Sequence, residues 1–195
     1  MGELVQRKST RLKNFDYSSV GAYFVTICTK DRKQILSDIV MPRFTAKNHL
    51  QHLNTVGEGL APPETEHALR IITDTPWVRL KSCGRIAEEQ LLLLEKRYSN
   101  VTVENYVIMP DHIHAIIFLH EVSGGASPSP TLDNVICAYK SLTSRMCKQL
   151  YGIEKMFQRS YMEHIIRDRS DYEAKANYIH DYPISWYYKS LSTNE

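Results

Sequence analysis

His112-Ile113-His114 is the pair of side chains in this sequence best spaced for chemistry. In a strand, residues two apart point to the same face, so both imidazoles would project together. Ile116 and Phe118 would share that face, with Ile113, Ala115, Ile117 and Leu119 on the other. A strand apolar on both faces is an interior one, which sets the histidines in a half-buried site. Paired imidazoles suit a divalent metal, but a third and fourth ligand are needed. Taken alone, the pair also fits two strand histidines hydrogen-bonded to neighbours, which is the commoner arrangement. Tyr178 is the second candidate. On a late helix, Tyr172, Ala176 and Ile179 mark the packing side, and Tyr178 lies off it, in line with Ala174 and Tyr182. A phenol with a pKa near ~10 is a poor nucleophile, yet attack becomes feasible where a metal polarises the electrophile. The chain has 12 tyrosines, so spacing by itself does not single this one out.

Positioning these groups falls to a predictable set of elements. Ala22–Thr29, rich in aromatic and β-branched residues, reads as a strand. Residues 41–80, with Pro42, Gly57, Gly59, Pro62, Pro63 and Pro76, read as an irregular excursion from the core. That excursion carries short extended pieces such as Trp77–Lys81. Ala87, Leu91, Leu94 and Tyr98 predict a helix over Gly84–Tyr98. Val101–Met109 and His112–His120 read as a hairpin about Pro110-Asp111, because proline cannot sit inside a central strand. Thr131 is the expected N-cap of a helix with Val135, Tyr139, Leu142, Met146 and Leu150 on its apolar side, ended by Gly152. Arg159–Arg167 reads as another strand. Ser170 and Glu173 form a capping box for a last helix, which Pro183 is expected to stop. This order predicts an α+β domain with helices against a mainly antiparallel sheet.

The composition narrows the class. A length of 195 residues suits one domain, and 43% hydrophobic with 24% charged residues excludes a disordered chain. The longest apolar runs, Leu91–Leu94 and Ala115–Leu119, fall far short of the roughly 18 residues of a membrane span. Met1–Phe15 has basic residues without an apolar stretch, and Gln6 stands where myristoylation wants Ser or Thr, so a cytoplasmic location is expected. Cys28, Cys83, Cys137 and Cys147 include no C-x-x-C pair and read as reduced, mostly buried thiols. The net charge of +2 hides a segregation. Residues 1–33 carry seven basic side chains against three acids, residues 34–138 eight against twelve, and residues 139–195 nine against seven. Basic ends could meet a polyanion, although a solvated basic tail is the plainer reading.

Asn105–Leu119 (NYVIMPDHIHAIIFL) and Phe157–Tyr188 (FQRSYMEHIIRDRSDYEAKANYIHDYPISWYY) together resemble the single-tyrosine HUH transposases. The nearest branch is that of the REP-associated tyrosine transposases and their IS-element relatives. Arg7–Cys28 (RKSTRLKNFDYSSVGAYFVTIC) is similar to the same branch, so the resemblance covers most of the chain outside 41–80. It implies that His112 and His114 bind Mg2+ or Mn2+. It also implies that Tyr178, of the segment Tyr178-Ile179-His180-Asp181-Tyr182-Pro183, attacks DNA. The family usually has Asn four residues after the tyrosine, where this chain has Tyr182, a weaker metal ligand. Asp181, His180, Glu163 or His164 is then expected to substitute, or water to fill the position, or metal binding to be impaired.

The activity implied is cleavage of single-stranded DNA through a 5′-phosphotyrosine, reversed by a 3′-hydroxyl without ATP. It would serve transposition or a domesticated derivative of it. The alternative is a hairpin DNA-binding protein with weak or lost catalysis. Single-stranded or hairpin DNA is the expected partner, gripped by the basic arm of residues 1–20 (Arg7, Lys8, Arg11 and Lys13) and by Lys140, Arg145 and Lys148. No membrane association is expected; the family includes both monomers and homodimers with shared sites, and a homodimer is slightly favoured. The whole of 1–195 is expected to form one HUH transposase-like domain of ferredoxin-like or RRM-like α+β architecture.

Overall fold

The computed structural model of the protein describes residues 20–41, 75–121 and 130–192. Strand β1 (Gly21–Cys28) leads through a short 3-10 turn (Lys30–Arg32) to β2 (Ser37–Val40), which pairs with β3 (Trp77–Leu80). Helices α1 (Ser82–Leu92) and α2 (Leu94–Arg97) follow, then the hairpin of β4 (Val101–Ile108) and β5 (His112–Leu119). Helix α3 (Leu132–Tyr151), strand β6 (Met162–Ile166) and helix α4 (Arg169–Ser192) complete the chain. The main sheet has the order β4-β5-β1-β6 with every neighbour antiparallel. Setting the small β2–β3 ribbon aside, the succession β1, α1–α2, β4, β5, α3, β6 in that order is the ferredoxin-like βαββαβ arrangement. The α+β, antiparallel expectation holds.

The described residues divide into two compact units. Residues 20–38, 80–121 and 130–180 form the first, and residues 39–41, 75–79 and 181–192 the second. In the first unit, one sheet face presents Tyr23, Val25 and Ile27 from β1 with Ile113, Ala115 and Ile117 from β5, all fully buried. Against them pack Ala87 and Leu91 of α1, Leu94 of α2, and Leu132, Val135, Ile136 and Tyr139 of α3. Burial of a side chain of this size contributes about 1.5–3 kcal/mol, so this layer supplies much of the driving force for folding. The Tyr139 hydroxyl donates to the Ala87 carbonyl at 3.1 Å, joining α3 to α1.

A β-bulge between Val103 and Asn105 changes which residues of β4 face the core. Val101 and Val103 are core residues before it, and Ile108 is one after it. The extra residue therefore turns Asn105 and Val107 toward the opposite face, in register with Ile116 and His114.

Several expectations are corrected. The helix predicted over Gly84–Tyr98 begins two residues earlier and breaks at Leu93. The buried stripe of α3 is Leu132, Val135, Ile136, Tyr139, Thr143 and Cys147, while Leu150, in the last turn beyond that stripe, is exposed. Its caps are as expected: Thr131 accepts from the Asn134 amide, and Gly152 adopts a left-handed φ of 69°. The cap of α4 is not Ser170. Asp168 accepts from the Asp171 amide at 2.9 Å, a carboxylate at the positive end of the helix. Pro183 does not stop α4, which continues to Ser192 and gives up one backbone N–H at the proline. Cys137 is exposed, whereas Cys28, Cys83 and Cys147 are buried free thiols. The basic arm with Arg7, Lys8, Arg11 and Lys13, and most of the 41–80 excursion, lie outside the described residues.

Gly84, near the start of α1, is a close approach. A Cβ built there would run into the Leu36 carbonyl oxygen, which accepts the Lys81 amide. Gly84→Ala is expected to lower stability by about 1–3 kcal/mol, read as a fall in urea midpoint at unchanged m-value.

Candidate active site

The face of the sheet opposite α1 and α3 carries the candidate site. Strand β5 lies inside the sheet, and all of its residues except Phe118 are buried. Its register pairs Cys28 with His112 and Thr26 with His114, so both imidazoles project from one face beside Phe24 and Thr26. Their ring centroids are 4.6 Å apart. His112 is 1% exposed and His114 5% exposed, so both rings have left water.

Each imidazole has one nitrogen assigned. The Nδ1 of His112 lies 2.5 Å from an Asp111 oxygen, and the Nδ1 of His114 lies 2.9 Å from the Thr26 hydroxyl. Engagement at Nδ1 fixes each ring plane and aims Nε2 the other way, the usual support of a metal-ligating histidine. Burial pushes the His114 pKa down to about 3, with His112 and Arg32 adding positive charge nearby. His112 is also lowered by burial, with Asp111 opposing. Both rings are therefore neutral near pH 7, the state in which imidazole binds a metal.

Helix α4 brings Tyr178 to this pair. Its first turn is tied down by Tyr172, whose hydroxyl donates to Glu104 at 2.6 Å and accepts from Asn105 at 2.9 Å. Glu104 is the extra residue of the β4 bulge and Asn105 follows it. His164, opposite Phe24 on β6, meets Asp171 at 2.8 Å. Six residues beyond Tyr172, about 9 Å along the helix, the Tyr178 ring sits 5.3 Å from His114 and 5.9 Å from Phe24. Tyr178 remains 43% exposed, so its phenol can meet a substrate from solvent. Phe24 stacks on His114 at 5.1 Å, and Lys175 Nζ lies 5.5 Å over the Phe24 ring.

The remaining candidates fall elsewhere or are otherwise engaged. Glu163 pairs with Val25, whose side chain is in the helix-covered core, so alternation puts Glu163 on the face away from the imidazoles. His164 shares the imidazole face but is committed to Asp171. His180 is exposed. Asp181 and Tyr182 belong to the second unit, where the Tyr182 ring lies 6.3 Å from Trp186. Among the described residues no group of three His, Cys, Asp or Glu side chains is assembled around a metal position. The two imidazoles are a fitting nitrogen pair for a divalent ion, and its other positions would fall to oxygen from solvent or phosphate.

Of the cations expected on DNA, Lys140 has a structural task. Its Nζ donates to the Gln158, Arg159 and Ser160 carbonyls at 2.6, 2.9 and 3.3 Å, occupying all three of its hydrogens. Lys148 pairs with Glu154 at 3.0 Å, and Arg145 is exposed. Sequence reasoning missed Asp111 and Thr26 as supports of the imidazoles. Asp111 was visible as the residue beside His112, whereas Thr26 needs the β1–β5 register. It also missed Arg32, whose Nε lies 3.5 Å from Asp111 and whose Nη1 donates to Cys28 Sγ at 3.1 Å.

Two outcomes follow from these contacts. Lys140→Met should cost about 1–3 kcal/mol in chemical denaturation, since three carbonyls lose a charged donor. In metal-free buffer the neutral His114 makes the fold acid-sensitive. Below pH ~6.5 the unfolded chain takes up a proton that folded His114 refuses until about pH 3. Stability present above pH 6.5 is thus lost as pH falls, by up to ~1.4 kcal/mol per unit for this histidine. His114→Gln should flatten that slope between pH 6.5 and 4.5.

No family model matches the sequence. The chain is 27% identical to an uncharacterized protein of Haemophilus influenzae, over 92% of this chain and 89% of that one. Its fold is similar to that of a REP-associated tyrosine transposase solved bound to a REP hairpin. That likeness has a TM-score of 0.50 at 15% identity and covers 90% of this chain and 73% of that one. What the two chains share at this distance is the fold.

Proposed function

We propose that this protein is a metal-dependent single-strand DNA transesterase of the HUH type, acting in DNA transposition or a process derived from it. The observation that carries the reading is the convergence of Tyr178 with His114 and His112 on one sheet face, from segments more than 60 residues apart. A nucleophile and a neutral imidazole pair, side by side and open to solvent at the phenol, are what phosphodiester transesterification requires. The hairpin-bound transposase of similar fold supports hairpin DNA as the substrate class.

In this reading the Tyr178 oxygen attacks a backbone phosphorus and releases its phenolic proton to solvent. The P–O3′ bond breaks, the 3′-oxygen leaves and takes up a proton, and the 5′-phosphate stays on Tyr178. Return of a 3′-hydroxyl reverses the step and rejoins the ends. His112 and His114 would hold a divalent ion, Mn2+ at least as readily as Mg2+, which when bound supplies Lewis acidity toward a phosphate oxygen. Asp111 and Thr26 orient the two rings, and Phe24 walls the site beside His114.

The second reading, a hairpin-binding protein without efficient chemistry, is favoured by one observation: among the described residues no third His, Cys, Asp or Glu joins the imidazole pair in a group that could hold a metal ion. Incubating the protein with end-labelled hairpin DNA and Mn2+ separates the two. A covalent adduct that survives denaturing electrophoresis and vanishes in Tyr178→Phe is expected. His112→Ala should lower adduct yield by ~10²-fold while hairpin affinity stays within a few-fold, since phosphate contacts dominate affinity. Tight binding with no adduct in Mn2+ or Mg2+ would establish the second reading instead.

A further inference from the structure

We infer that the polynucleotide backbone runs out of the site along a cationic groove built by the turn after β1 and the segment between α3 and β6. This rests on the proposed DNA substrate and names the surface that grips it. The groove, 590 Å³ in volume, is lined by Lys30 and Asp31 on one side and by Glu154, Lys155, Gln158 and Arg159 on the other. Its two walls are fastened together. The Lys30 amide donates to the Met156 carbonyl at 2.8 Å, the Gln158 amide donates to the Cys28 carbonyl at 2.9 Å, and Lys140 clamps the carbonyls of residues 158–160.

Charge on this surface is unbalanced in favour of cations. Asp31 is paired with Lys30 at 2.7 Å, and Glu154 with Lys148 at 3.0 Å, so both acids are already neutralised. Lys155 and Arg159 are exposed and take part in no ion pair among the described residues. Lys33 continues the same side into an adjoining groove of 550 Å³, lined also by Lys30 and Lys155. Neutral donors at Gln158 and Ser160 complete a lining suited to phosphate oxygens.

The groove, lined also by Ser144 of α3, is joined to the site through the turn after β1. Cys28 stands opposite His112 in the sheet, and Lys30 follows two residues later, at most about 7 Å of chain. Between them and the imidazoles stands Arg32, half exposed, with its guanidinium beside Asp111 and Cys28. Asp31 and Arg32 hold φ of 56° and 55°, left-handed values that non-glycine residues rarely adopt. That turn swings Arg32 back toward Asp111 while Lys30 stays on the groove wall. From the Asp111 end of the imidazole pair the surface thus leads past Arg32 into the groove, where Lys30 is balanced by Asp31 and the surplus positive charge is that of Lys155 and Arg159.

Fluorescence anisotropy of a labelled single-stranded hairpin oligonucleotide, in chelator so that no cleavage occurs, tests the groove across a salt series. Lys155→Gln and Arg159→Gln should each reduce the slope of log affinity against log salt by ~0.7, and the double variant by ~1.4. Lys96→Gln, the same charge change on exposed α2, should leave the slope unaltered. Circular dichroism melts of the variants should match the parent, since both positions are exposed. A double variant with the parental slope overturns the groove, as does an equal loss in Lys96→Gln. Failure of the parent to bind the oligonucleotide overturns it too. Adduct formation by the parent with unaltered binding in the double variant leaves the transesterase reading standing and the groove refuted. A reduced slope in the double variant, with a parent that forms no adduct, does the reverse.

Discussion

The antiparallel ladder between β1 and β5 is the constraint on which the rest depends. It runs without interruption from Gly21 opposite Leu119 to Cys28 opposite His112. Because strand side chains alternate, this one register sends Tyr23, Val25, Ile27, Ile113, Ala115 and Ile117 into the helix-covered core. It sends Phe24, Thr26, His112 and His114 to the other face. A slip of one residue would exchange the two sets, placing the imidazoles in the helix-covered core and away from Tyr178. The apolar layer therefore specifies the site, although it touches none of the chemistry.

Taking two imidazoles out of water carries a cost, and the neighbours reduce it. Asp111 and Thr26 each engage one ring nitrogen, and Arg32 stands beside Asp111 so that its carboxylate is not an isolated charge. Asp111 itself is held by the end of β1: its carbonyl accepts the Thr29 amide at 2.9 Å, and the Thr29 hydroxyl lies at the same distance. Left-handed backbone at Asp31 and Arg32, worth ~1–3 kcal/mol each, is kept in place by these contacts and by the Lys30 amide on Met156. Support of the rings, strain in the turn and the cationic surface beyond it form one connected structure.

Tyr178 is delivered by a different device. The β4 bulge places Glu104 and Asn105 where both reach the Tyr172 hydroxyl, and His164 holds Asp171 from β6. Helix α4 is thus pinned to strands at both edges of the sheet. With the helix pinned, its rise and rotation determine where Tyr178 emerges, which is against His114. The half-exposed phenol and the buried imidazoles fit the proposed reaction, in which one would meet solvent-borne substrate and the others would stay dehydrated and fixed.

Much of this was written in local sequence. The alternation through His112–Leu119 determined an interior strand with both imidazoles on one face, because period-two patterning on two apolar faces admits little else. Pro110-Asp111 determined the hairpin, and Thr131 and Gly152 the two ends of α3, through the backbone needs of turns and caps. Other features depend on partners remote in sequence, which no local pattern encodes. Thr26 supports His114 only because 88 residues of chain fold back into one register. Glu163 looked like a ligand beside His164, yet pairing with Val25 turned it to the other face. Lys140 looked like a surface cation until three carbonyls of the 158–160 segment converged on it. Pro183 should have ended α4, but helix propensity is a weak local term that the rest of the fold can override. Residue types and spacing determined which groups could act; the strand register and the pinning of α4 decided which of them meet.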